Sequence, residues 1–203
     1  MSPATLSGRG DPIGWPALAV IAASFVVFMI ALFAARRRTG AEPPDNATRS
    51  RRSMGGIVIQ GCGIGICTYG QQVISLPPLS TPALLQAAVC ALLMTGAIGL
   101  FYWASRTMGR NWSLVARTRE DHQLVDGGPF AHVRHPIYLG MFFLMLALAL
   151  ALGHTGRLVL AIPVFALGTW LRISEEERLL RAMFGADYDS YAARVARFVP
   201  GVF

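Results

Sequence analysis

Two short stretches of the sequence hold most of the side chains that could do chemistry. The first, residues 122–135, contains three of the four histidines beside a Gly-Gly-Pro turn and ends just before Pro136. Proline suits the first turn of a helix, where its missing N–H costs nothing, so we predict that a helix begins at Pro136. Arg134 and His135 then lie at the helix start, either as a binding site or as an interfacial anchor that contacts lipid phosphates.

The second stretch carries three consecutive carboxylates, Glu175–Glu177. Successive side chains on a helix point about 100° apart, so we expect at most one or two of the three to face the protein. Ser174 and Glu177 have the spacing of a capping box at a helix start, and Glu177 and Arg181 have that of an i,i+4 ion pair. These local contacts account for Glu177 and leave Glu176 without a structural role.

Arg172 precedes Glu176 by one helical turn, which puts the two side chains on the same side of a helix. A guanidinium at that position suits an anionic substrate group, because its planar donors match the geometry of a carboxylate. From the residues alone, a structural pair and a functional pair are equally supported. We expect no metal site, since His132 and His135 have no third ligand nearby.

The composition indicates a membrane protein. Of the 203 residues, 54% are hydrophobic and 14% are charged, and the mean hydropathy is +0.48. A helix needs about 20 apolar residues to cross the hydrocarbon core. Charge-free stretches predict spans at 12–35, 55–76 and 83–104. The stretch 136–171, interrupted only by Arg157, predicts two short helices joined by a turn.

The distribution of arginine predicts the orientation of these spans. All 18 basic residues are arginines, and sixteen of them lie in segments 36–52, 106–134 and 172–203. Because cytoplasmic loops carry the excess of positive charge, we predict an all-α integral membrane protein with five transmembrane helices, its N-terminus outside and its C-terminus cytoplasmic. The net charge of +7 then reflects topology and membrane lipids, and we expect no nucleic-acid partner.

The glycine-rich run from Gly61 to Gly65 does not predict a nucleotide site. A phosphate-binding loop follows a strand and opens a soluble helix, whereas this run lies inside a charge-free span. Gly61 and Gly65 are four residues apart, on one face of a helix, so we expect them to allow a neighbouring helix to pack closely.

The order of motifs in the second half of the chain resembles that of a known family. The motif Leu-Val-x-x-Gly-Pro-Phe-x-x-x-Arg-His-Pro-x-Tyr-x-Gly runs from Leu124 to Gly140 and is followed by an apolar hairpin. Three further motifs come after it: Glu-Glu-x-x-Leu, Phe184-Gly185-x-x-Tyr188-x-x-Tyr191 and Arg197-Phe-Val-Pro200. Together they resemble the isoprenylcysteine carboxyl methyltransferase and phospholipid methyltransferase superfamily of integral-membrane enzymes over about residues 109–200.

The resemblance implies a pocket for S-adenosylmethionine on the cytoplasmic side, formed by the 106–135 loop, the last two spans and the C-terminal helices. The residues implied to bind this cofactor are His122, Leu124, Val125, Phe130, His135, Tyr138 and Glu176. Arg172 is implied to face the acceptor, and with Glu176 it forms the expected catalytic pair. Residues 106–203 are then the methyltransferase core, and residues 1–105, which carry no family motif, are expected to select the acceptor.

The implied chemistry needs no metal and no covalent intermediate, because methyl transfer from a sulfonium is a direct displacement that depends on alignment. We expect Glu176 to bind ribose hydroxyls or the cofactor amine, and His135 to hold the cofactor carboxylate. Arg172 would orient the acceptor carboxylate in a bidentate geometry. Phe130 and Tyr138 would contact the adenine or the sulfonium by cation–π attraction.

The acceptor is expected to be lipophilic, with a carboxylate such as that of a prenylated cysteine or of an isoprenoid-like molecule, in a bacterial inner membrane. Three alternatives stay open at this stage. A phospholipid amine N-methyltransferase would need a base, such as Glu176 or His135. An NADPH-dependent enzyme of the sterol-reductase type would use clustered arginines for the 2′-phosphate. The third alternative is a non-enzymatic membrane protein that keeps the fold.

Overall fold

The computed structural model describes residues 10–39, 51–109 and 124–198, and within them the chain is mostly helical. The helices are α1 Trp15–Thr39, α2 Arg51–Thr68, α3 Thr81–Met108, α4 Pro136–Ala151, α5 Leu158–Phe184 and α6 Ala186–Arg194. Two-residue strands β1 (Pro12–Ile13) and β2 (Val73–Ile74) pair in parallel, and 3₁₀ turns cover Gly128–Ala131 and Thr155–Arg157. The small parallel pair is a feature that the all-α prediction missed.

Three helical segments of the described chain are long and apolar enough to cross a bilayer: Trp15–Arg38, Thr81–Met108 and Thr155–Phe184. Large apolar side chains on α1 are exposed, among them Ile30 at 65% and Phe33 at 57%, as expected for a surface that faces lipid. The protein is therefore a multi-pass integral membrane protein. α4 is apolar but has only 16 residues, so five full crossings stay a prediction.

The span expected at 55–76 is wrong at its C-terminal end, because α2 stops at Thr68. Gly70 follows with a φ of +132°, a backbone conformation that ends the helix, and the next residues form β2. At the same end of the bundle, a turn at Gly153 joins α4 to α5, and the Gly153 carbonyl accepts a hydrogen bond from the Asp11 N–H at 2.6 Å. The predicted turn between two apolar helices is confirmed there.

α5 continues without a break past Arg172 to Phe184 and ends at Gly185, which has a φ of +52°. Ser174 and Glu177 therefore lie inside a helix and cannot form the predicted capping box, since no helix begins there. The predicted start at Pro136 is confirmed, because Pro136 is the first residue of α4.

The helices pack in two groups, with α3 against both α1 and α4, and α2 against α5. The α2–α5 contact depends on glycine, but not on the predicted residues. A Cβ added at Gly61 or Gly65 would meet no atom within 4 Å among the described residues. One added at Gly63 would lie 2.8 Å from the backbone nitrogen of Phe165 in α5. The packing face of α2 is therefore rotated from the expected one.

This geometry predicts opposite effects for two alanine substitutions on the same helix. Gly63→Ala should destabilise the protein by about 1–3 kcal/mol, because the new methyl group overlaps the α5 backbone. Gly61→Ala should leave stability unchanged or raise it by up to about 1 kcal/mol, since alanine is the better helix former. Thermal unfolding of the detergent-purified variants measures both. Equal midpoints for the two would contradict the packing described here.

Candidate active site

The start of α4 is fixed in place by the C-terminal segment that follows α6. The Arg134 N–H donates to the Ala196 carbonyl at 2.8 Å, and the His135 N–H donates to the Arg197 carbonyl at 3.2 Å. Upstream, the chain turns at Gly128, whose φ of +60° favours glycine. These contacts hold Arg134 and His135 beside the end of α5.

A buried carboxylate on α5 binds cationic side chains from both segments. Glu177 is only 5% exposed. Its Oε1 lies 3.1 Å from His135 Nε2 and 3.1 Å from Arg134 Nη1. Arg197 donates from Nε to Oε1 at 3.0 Å and from Nη2 to Oε2 at 2.8 Å. Because a carboxylate only accepts, the His135 Nε2 carries the proton in this contact. The hydrogen bond to Glu177 raises the pKa of Arg197 above its ordinary value.

Four of the residues predicted from the sequence meet next to this carboxylate. The Tyr138 hydroxyl donates to Glu176 Oε2 at 3.0 Å. The Arg172 guanidinium lies over the Tyr138 ring, 5.0 Å from its centroid, and the His135 ring lies 5.7 Å from the same ring. The face of Tyr138 that was expected to contact a sulfonium thus already contacts a cationic side chain of the protein.

Three more of the predicted residues pack in an apolar cluster against α6. Phe130 is buried with Tyr188 and Tyr191, and Leu124 and Val125 pack against them. The Tyr191 hydroxyl donates to the Phe130 carbonyl at 2.8 Å, and burial raises the pKa of Tyr191. The loop containing residue 124 onward therefore lies against α6 and the end of α5. His122 lies outside the described residues.

An open cleft of about 470 Å³ lies beside Glu177 and Arg197, lined also by Ser174, Arg178, Arg181 and Ala182. Neither Tyr138 nor Glu176 lines it, so this cleft does not coincide with the residues predicted to bind the cofactor. Within the described part of the chain, no three His, Cys, Asp or Glu side chains are placed to hold a metal ion.

Several residues in or next to the site were not identified from the sequence. Arg181 was expected to pair with Glu177 but instead donates to Asp189 of α6 at 2.6 Å. Glu177 had been assigned only local contacts. Arg197 and the two tyrosines of α6 lie in motifs that carried the family resemblance. Their place in those motifs could have identified them as site residues. Gln60 hydrogen-bonds to Arg172 and was also not identified. Its signal in the sequence is a polar side chain inside an apolar helix.

A bundle of apolar helices with arginine, histidine and carboxylate side chains gathered at one end defines a multi-pass membrane protein with a polar site at the ends of its spans. A sequence model of the isoprenylcysteine carboxyl methyltransferase family matches residues 83–182. The match covers just under half of the chain, and several relatives with similar sequences carry the name of a methyltransferase of this family. The resemblance in the sequence motifs is thereby confirmed.

Curated relatives of two kinds are similar to the chain. The protein-S-isoprenylcysteine O-methyltransferase of Schizosaccharomyces pombe is 31% identical over 135 residues, 60% of this chain and 56% of that protein. The nickel-cobalt-cadmium resistance protein NccN of Alcaligenes xylosoxydans xylosoxydans is 35% identical over 112 residues, 54% of this chain and 50% of NccN. The chain thus spans about half the length of the curated relatives it matches.

A solved structure has the same fold. The eukaryotic intramembrane Ras methyltransferase ICMT superposes with a TM-score of 0.50 and 21% identity, covering 98% of this chain and 70% of that one. At this identity the likeness concerns the fold alone.

The contacts of Glu177 predict that its charge is a main source of stability at this end of the bundle. Glu177→Gln should lower the free energy of unfolding by about 3 kcal/mol, because Arg134 and Arg197 lose the charge that compensates their partial burial. The matched control is Asp189→Asn, which breaks an exposed pair with Arg181 and should cost at most about 1 kcal/mol. Thermal unfolding in detergent compares them, and equal losses would exclude a special role for Glu177.

Proposed function

We propose that the protein transfers a methyl group from S-adenosylmethionine to the carboxylate of a lipophilic acceptor, such as a prenylated cysteine, at the cytoplasmic face of the membrane. The observation that carries this proposal is the position of Arg172. Its guanidinium lies on the ring of Tyr138, which is in the first turn of the apolar helix α4. The Tyr138 hydroxyl in turn donates to Glu176. An anion-binding group is thus held next to a carboxylate that can accept hydrogen bonds from hydroxyls.

The residues present fit the cofactor in chemical character. Leu124, Val125 and Phe130 supply apolar surface of the kind that an adenine ring needs, and Glu176 is a half-buried acceptor suited to ribose hydroxyls or an ammonium group. When bound, S-adenosylmethionine supplies an electrophilic methyl group on a sulfonium. His135 could bind the cofactor carboxylate only with the part of its ring that faces away from Glu177, because its Nε2 contacts the Glu177 carboxylate.

Arg172 is the residue proposed to bind the acceptor. A carboxylate is ionised at neutral pH and needs no general base, so the task of the protein is to hold it in line with the methyl carbon. A bidentate contact with a guanidinium restricts both the position and the orientation of the two oxygens. The exposed apolar side chains of the spans support an acceptor that arrives through the lipid.

The proposed orientation follows from charge. The segments that meet at the site are rich in arginine, which supports a cytoplasmic location for the site and five crossings with the N-terminus outside. The proposed location is a bacterial inner membrane. The alternatives of an amine N-methyltransferase, an NADPH-dependent reductase and a non-enzymatic protein gain no support from the relatives described above.

The proposal predicts turnover with a matched pair of acceptors. Purified protein in lipid nanodiscs should transfer label from S-adenosylmethionine to N-acetyl-S-farnesylcysteine, and should not label its carboxamide, which has the same lipid but no carboxylate. Product formation is measured by chromatography of the labelled lipid. Transfer to the carboxamide, or to neither compound, would count against a carboxylate acceptor.

The role of Arg172 is tested with the same assay. Arg172→Ala should lower kcat/KM for the carboxylate acceptor by about 100-fold, since a bidentate charged contact is lost. Arg194→Ala, which removes an exposed arginine of α6, is the control and should retain activity. Little change in Arg172→Ala would favour an amine acceptor instead.

The role of Glu176 is tested by equilibrium binding of S-adenosylmethionine. Glu176→Gln should weaken binding about tenfold, because charged hydrogen bonds to hydroxyls or an ammonium become neutral ones. Asp187→Asn, a carboxylate in the first turn of α6, is the control and should bind as the wild type does. Unchanged affinity in Glu176→Gln would remove this residue from the cofactor site.

A further inference from the structure

Gln60 is a polar side chain buried inside an apolar helix. It lies in α2 and is only 1% exposed, within a stretch that has no charged residue from Ser53 to Thr68. Burying an amide costs free energy unless its donors and acceptor are paired. Such a residue inside an apolar helix of a membrane protein calls for an explanation.

The amide of Gln60 is paired on both sides, and both partners are on α5. Its Nε2 donates to Thr169 Oγ1 at 2.7 Å, and its Oε1 accepts from Arg172 Nη1 at 2.9 Å. This orientation of the amide is fixed by chemistry, because a guanidinium has donors only and must face the oxygen. Gln60 therefore connects the acceptor-binding residue of the proposed function to a second helix.

Glycines bring the two helices close enough for this contact. A Cβ added at Gly168 would lie 2.6 Å from the Gln60 backbone nitrogen, and one added at Gly56 would lie 2.5 Å from Arg172 Cγ. The α2 and α5 backbones thus pass each other at the closest approach that glycine allows. On its other side, the Arg172 guanidinium lies against the Tyr138 ring.

We infer that Gln60 is a positioning residue that orients Arg172 toward the carboxylate of the acceptor, an inference that rests on the proposed function. A neutral amide fixes the direction of the guanidinium without adding negative charge next to it. A carboxylate at the same position would compete with an anionic acceptor for the same donors. Gln60 lies outside the matched residues 83–182, so it is a contribution of the N-terminal helices to acceptor selection.

Two substitutions at this position and one matched control test the inference. Gln60→Leu removes both hydrogen bonds, and Gln60→Glu keeps an oxygen for Arg172 but adds a charge. The control is Gln86→Leu, which removes another amide from an apolar helix, at the opposite end of the bundle. Gln86 accepts from the Gly14 N–H and donates to the Leu150 carbonyl, away from the site.

The readouts separate positioning from folding. Binding of N-acetyl-S-farnesylcysteine is measured without S-adenosylmethionine, then kcat/KM for this acceptor, and then the Kd for S-adenosylmethionine. Gln60→Leu should weaken acceptor binding and lower kcat/KM by about tenfold or more, the worth of one hydrogen bond to a charged group. Gln60→Glu should do at least as much damage, although it preserves a partner for Arg172. Both should keep the wild-type Kd for S-adenosylmethionine, and Gln86→Leu should keep all three values.

The outcomes distinguish this inference from the function on which it rests. If the wild type methylates the acceptor and Gln60→Leu does so with unchanged acceptor affinity, the positioning role is overturned and the proposed function stands. If Gln60→Glu matches the wild type, a neutral group is not required and the inference is also overturned. If affinity for S-adenosylmethionine falls in step with that for the acceptor, the effect is structural and the inference fails. A wild type that neither binds nor methylates the acceptor would overturn both proposals.

Discussion

The carboxylate of Glu177 is the group around which the polar end of this protein is organised. An ionised carboxylate at 5% exposure is stable only when its lone pairs are occupied, and here they accept from His135, Arg134 and Arg197. Two of these residues precede α4 and the third follows α6. One charge on α5 therefore adds side-chain contacts to two segments that already hydrogen-bond to each other through their backbones.

The rest of the site follows from this arrangement. With Nε2 committed to Glu177, the His135 ring lies beside Tyr138, and the Tyr138 hydroxyl reaches Glu176. Tyr138 also provides the aromatic face on which Arg172 lies. Removing the charge of Glu177 would thus reach Glu176 and Arg172 through the rings of His135 and Tyr138, while the backbone contacts still hold the start of α4.

Sequence patterns identified the members of this site better than the contacts between them. The helix start at Pro136 and the proximity of His135, Tyr138 and Glu176 follow from local chemistry together with the family resemblance. The contacts of Glu177 do not, because its sequence neighbours offered two local partners, a capping serine and Arg181. The capping-box rule and the i,i+4 rule both assume that a side chain binds its neighbours in the sequence. In the folded chain α5 continues through Ser174, and Arg181 binds Asp189 instead.

The same limit applies to helix packing. Composition identifies the apolar helices, because hydrocarbon requires them, but it does not say which face of a helix meets another. Gly61 and Gly65 satisfy the spacing for close packing, yet Gly56 and Gly63 make the contacts, two turns apart on another face. Only the shape of the neighbouring helix selects between such faces. The strand β2 that follows α2 likewise pairs with β1, which is distant in sequence.

The geometry of α5 explains how one helix can connect so many elements. Arg172 and Glu176 lie one turn apart on the same side of α5, and Glu177 points about 100° away from Glu176. Arg172 contacts α2 through Gln60, Glu176 contacts α4 through Tyr138, and Glu177 contacts the segments before α4 and after α6. A rotation of α5 would disturb all three contacts together. Residues before 106 are therefore coupled to the polar site through the rotation of a single helix, even though they carry none of its recognisable motifs.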